Sequence, residues 1–143
     1  MQRGVYSGYM KLMGEEHVKT LTAANNLASI LIDLQRELYR FPQFLEVKIF
    51  LEKTIPLARR TLGETNDITL MMRMNYAMAL KGNTNATQDD LSEAVTTLEE
   101  TEWIARRVLG GAHPDAMQFE LSLQNARAAL RARETTCETP SPG

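Results

Sequence analysis

The chain is expected to be all-α, a stack of antiparallel helix pairs with about six helices, and three observations point there. The composition is globular and helical: of 143 residues 43% are hydrophobic and 24% charged, with eight Met but only four Phe, four Tyr and one Trp, a balance that favours helix over sheet. Glycines stand at 14, 63 and 110, spaced 49 and 47 residues apart. The flanking segments recur with them. Leu51-Glu52, Ala58-Arg59-Arg60 and Leu62-Gly63 match Leu98-Glu99, Ala105-Arg106-Arg107 and Leu109-Gly110, while Thr20-Leu21, Asn26-Leu27-Ala28 and Leu31 match Thr69-Leu70, Asn75-Tyr76-Ala77 and Leu80. A period of this length marks a helical array.

Each unit holds a helix A after its glycine and a helix B before the next. A remnant of a preceding helix B is expected at 5–13, followed by helix A at about 18–34, helix B at 43–62, a second A at 67–81, a second B at 88–109 and a third A at 114–133. The repeat domain is thus 1–133, with units at 14–62, 63–109 and a partial 110–133, and 134–143 reads as a disordered tail for want of apolar periodicity. Helix B ends where glycine supplies a left-handed C′ residue, with the Arg pairs at 59–60 and 106–107 set against the negative end of the helix dipole. Helix A restarts after a short polar turn, and Pro114 suits the first turn, where a missing N–H has no intrahelical partner. Thr87 with Asp90 three residues on forms a capping pattern for the second helix B. Pro56 lies inside the first helix B and is expected to kink or split it.

These motifs resemble the tetratricopeptide repeats (TPR) of the kinesin-light-chain type, whose units read roughly L-G-x-x-H-P-D-T-L-x-x-x-N-N-L-A. The matching residues are Gly14, His17, Thr20-Leu21 and Asn25-Asn26-Leu27-Ala28 in the first unit, Leu109-Gly110 and His113-Pro114-Asp115 in the third, and Leu91-Ser92-Glu93-Ala94 in helix B. The resemblance covers about residues 9–130. Asn66-Asp67-Ile68 replaces His-Pro-Asp in the second unit, Val18-Lys19 replaces Pro-Asp in the first, and the third helix A lacks the Asn-Leu-Ala core. That unit also admits a three-residue slip of register, with Asn125-Ala126 and Leu130 set against Asn75-Tyr76 and Leu80. The resemblance implies a right-handed superhelix whose A helices line a concave groove for a peptide or partner helix.

On the first helix A, Leu21, Ala24, Leu27, Ala28 and Leu31 form the core face, leaving Thr22, Asn26, Ser29 and Asp33 for the groove with Asn25 at the border. Carried forward by the repeat, this face becomes Met71, Asn75 and Met78, then Gln118, Ser122 and Asn125. Arg73 replaces the core-face Ala24 and is added as a residue able to pair with an acidic partner. Amides satisfy a bound backbone without charge, and thioethers repack against varied side chains.

Other functions find no support in the pattern. Lys and Arg (16) against Asp and Glu (18) give a net charge of −2, which supplies no field for nucleic acid or an anionic membrane. No paired carboxylates flank a cleft, no phosphate loop, nucleophile triad or metal-ligand spacing occurs, and His17 and His113 stand at equivalent turn positions suited to capping. A non-enzymatic, cofactor-free adaptor is expected, with a protein or peptide partner. The competing expectation is a structural or self-associating subunit, or a piece of a longer array, docking through open ends such as a Phe119, Leu123, Leu130 face. One cysteine, Cys137, and no apolar leader suggest a cytoplasmic setting.

Overall fold

The computed structural model describes residue 7 and residues 17–38, 42–82 and 86–138, and among these the chain is helical in five segments with no strand. They are α1 (Val18–Leu38), α2 (Pro42–Leu62), α3 (Asp67–Gly82), α4 (Gln88–Leu109) and α5 (Pro114–Glu138). The expected remnant at 5–13 lies outside the described residues except for Ser7.

Three of the helix starts use one device. The N–H of Lys19 donates to His17 Nδ1 at 3.1 Å, that of Ile68 to Asn66 Oδ1 at 2.9 Å, and that of Asp115 to His113 Nδ1 at 3.1 Å. In each case a side chain one repeat apart from the next satisfies a donor that the first turn leaves without an intrahelical partner. Helix α4 starts on the capping box, with Thr87 and Asp90 exchanging two bonds of 3.0 Å. The helix ends at Gly63 and Gly110 take φ of 91° and 92°. Gly110 has ψ of 150°, so its backbone is not left-handed helical as expected but extended at positive φ, a region essentially reserved for glycine.

Two expectations are corrected. Helix α2 is not split at Pro56: it continues through that residue, which faces solvent at the position held by exposed Trp103 in α4, so water can take the carbonyl that proline leaves without a donor. Helix α5 continues to Glu138, past the expected end at 133, taking Cys137 into its last turn; the remaining tail residues lie outside the described residues.

The packing is that of a stack. Each helix lies against the next in sequence, α1 lies against α3, and α3 lies more sparingly against α5, whereas the backbones of α2 and α4 stand apart. Helix α3 is therefore the middle layer and serves two cores. One gathers Leu21, Ala24, Ala28, Val47, Leu51, Ile55 and Ala58 around Met72 and Ala79, and the other gathers Leu70, Met74 and Ala77 with Leu98, Phe119, Leu123 and Ala126. Alanines at the crossings let backbones approach, and each fully buried Leu or Phe contributes about 1.5–3 kcal/mol by leaving water. Ala116, Phe119 and Ala126 are buried like Thr69, Met72 and Ala79 forty-seven residues earlier, so α5 keeps the repeat register without a slip. This also turns Phe119 and Leu123 into the core and away from any open end.

Candidate functional site

Because α1, α3 and α5 are adjacent, their shared inner side forms a groove of about 310 Å³. Helix α1 contributes Ser29, Ile32 and Asp33; α3 contributes Met71, Met74, Asn75, Met78 and Lys81; α5 contributes Gln118, Leu121, Ser122 and Asn125. Asp33 and Lys81 balance each other in charge, so the wall is otherwise amides, hydroxyls and apolar side chains. Asn75 is fixed in it. Its Nδ2 donates to Asn25 Oδ1 and to Ser29 Oγ, both at 2.9 Å, tying α3 to α1 at a residue only 6% exposed. Ser122 Oγ lies 3.8 Å from Met74 Sδ, a weaker link from α5 to α3.

Of the residues expected from sequence, Ser29, Met71, Asn75, Met78, Gln118, Ser122 and Asn125 come together in this lining, and four lie outside it. Thr22 donates to its own helix at Val18 O (2.8 Å), Asn25 sits behind Asn75 as its acceptor, and Asn26 is exposed beyond the groove. Arg73 turns to the opposite side of α3. Its side chain is 5% exposed and pairs with Glu100, which is 59% exposed. Asp33, on the same face by sequence, lines the groove too, whereas the sequence reasoning missed Ile32, Met74, Lys81 and Leu121. A signal was available: carrying the border residue Asn25 forward by the same spacings lands on Met74 and Leu121.

A second cleft lies on the outer side, where α2 and α4 stand apart over α3. It measures about 350 Å³ and is walled by Glu52, Ile55, Pro56 and Arg59 on one side and Glu93, Thr96, Thr97 and Glu100 on the other, with Arg73 and Tyr76 as its floor. Tyr76 spans it, its hydroxyl 2.7 Å from Glu93 Oε1 and 3.4 Å from Glu52 Oε1. Burial, and then the two carboxylates, hold this phenol protonated well above the ordinary tyrosine range. Further along α4, the guanidinium of Arg107 stacks 4.6 Å above the ring of exposed Trp103.

Among the described residues no group of three His, Cys, Asp or Glu side chains is placed to hold a metal, and no helix is long and apolar enough to cross a membrane. No family model matches the chain, and no curated protein or solved structure matches it either.

Proposed function

We propose that this chain is a non-catalytic adaptor of the tetratricopeptide type, which binds a peptide or partner helix of another protein along the inner groove. The observation that carries the reading is the lining itself. The adjacent helices present an apolar floor of thioethers, Met71, Met74 and Met78, beneath amides and hydroxyls at Gln118, Ser122 and Asn125. Such a wall suits a neutral backbone and one or two apolar anchors better than a charged ligand. The two cores support the same reading, since the groove rests on packed helices and needs no folding on binding. Neither nucleic acid nor a membrane surface is a fitting partner for a chain of net charge −2. A cytoplasmic setting goes with this reading, given a single cysteine in 143 residues.

The test is a selection of peptides from a random library on the immobilised chain, followed by calorimetric titration of the best binders. Met71→Ala and Gln118→Ala are each expected to weaken binding about tenfold, near 1.4 kcal/mol. Selected peptides indifferent to both substitutions would remove the groove as the binding site.

A further inference from the structure

Helix α5 carries an uncharged face that no other described helix covers, and the repeat shows how such a face is covered one unit earlier. Met117 and Leu121 are 56% and 58% exposed, and Gln124 and Ala128 beside them are exposed as well. Forty-seven residues back, Met117 and Leu121 correspond to Leu70 and Met74 of α3, which are 1% and 6% exposed in the core that α3 forms with α4 and α5. The α5 face thus continues an interface already present inside the molecule. Positions 117, 121, 124 and 128 alternate steps of four and three, the seam spacing of a coiled coil.

We infer that the occupant of this face is a second copy of the chain, with the two α5 helices packed antiparallel about a two-fold axis. The flanking residues select that occupant. Glu120 and Arg127 border the seam on one side, and Gln118 and Asn125 border it on the other. In the antiparallel register that seats Met117 on Ala128 of the second copy and Leu121 on its Gln124, Glu120 meets the opposite Arg127 and Gln118 meets the opposite Asn125. Symmetry makes each of these contacts twice. Sliding by one heptad in either direction sets Glu120 on its own symmetry mate or Arg127 on its own, which is repulsive. A parallel pair sets Glu120 against Asn125 and forms neither ion pair. One arrangement therefore satisfies the seam, the charges and the amides together. Arg127 is free to enter it, since the carboxylate it faces within its own chain, Glu99, is 4.0 Å away and both side chains are about half exposed.

The test uses sedimentation velocity of the full chain over a wide concentration range, with far-ultraviolet circular dichroism as the control for folding. The parent is expected to pass from monomer to dimer and no further. Met117→Glu, at an exposed residue outside the groove lining, is expected to stay monomeric with unchanged helicity. Glu120→Arg and Arg127→Glu each set like charges together twice and are expected to weaken self-association at least tenfold. Mixed one to one, these two variants regain complementary charge at both sites and are expected to form a heterodimer. A parent that remains monomeric at the highest concentration, a dimer that survives Met117→Glu, an open-ended polymer, or no association on mixing the charge variants would each overturn the inference. Gln118, Leu121 and Asn125 belong to both surfaces, so peptide binding is measured on the monomeric Met117→Glu variant, whose groove lining is unchanged, and a failure of self-association in the parent leaves that measurement standing.

Discussion

His17, Asn66 and His113 occupy the same point in three units, and each accepts the N–H two residues ahead. Imidazole and amide are interchangeable there because the role asks only for one acceptor at the right height. His113→Asn is therefore expected to leave the urea midpoint unchanged, whereas His113→Ala costs about 1 kcal/mol, the usual loss of an N-cap. Among the described residues, Tyr76 is one whose protonation is tied to folding. Its phenol is favoured in the folded state, so that stabilisation is complete below the ordinary tyrosine pKa near 10 and is lost as pH rises above it toward the higher folded value. In an alkaline titration followed by tyrosinate absorbance, Tyr76 should contribute a component that ionises only as the protein unfolds, and Tyr76→Phe should remove that component. Arg73 shows where residue-level reading stops. Sequence identifies a charge on a core face, but which carboxylate receives it depends on α4, twenty-seven residues away.

At the scale of the element, the helix boundaries were largely legible because their signals are local. Gly63, Gly110, the Thr87–Asp90 box and the His and Asn caps act within a few residues of where they stand. What was not legible was the environment of each face. Pro56 reads as a breaker, yet it sits where helix B faces water and α2 continues through it. A β-carbon at Gly63 would meet nothing within 4 Å, so its substitution tests backbone conformation alone. Gly63→Ala is expected to destabilise by about 1–2 kcal/mol through its positive φ, and Gly110→Ala likewise. Gly111, beside it, has no such φ and only Arg106 Cγ at 3.9 Å, so Gly111→Ala should be neutral or slightly stabilising. Chemical denaturation of the three variants measures this difference directly.

Over the whole molecule, the repeat spacing revealed which helices would share an inner side, since A helices one period apart must stack if the units do. It could not reveal how neighbours differ. Asn26 and Asn75 are equivalent by period, but Asn75 is buried between α1 and α5 whereas Asn26 is exposed on the outermost described helix. The central position of α3 has a consequence for cooperativity. It touches every other described helix, and it lends Met72 and Ala79 to one core and Leu70 and Met74 to the other. Local opening of the α1–α2 pair leaves the second core whole, and opening of α4–α5 leaves the first, but no opening of α3 spares either. Backbone amides of 70–80 should therefore exchange slowest with solvent deuterons, close to the rate set by global unfolding. Leu51→Ala and Phe119→Ala, each removing about 2–5 kcal/mol from its own core, should accelerate exchange in α1–α2 and α4–α5 respectively. Both should accelerate α3. If either substitution accelerates the far pair as much as its own, the two cores unfold as one unit and α3 is not a hinge between separable halves.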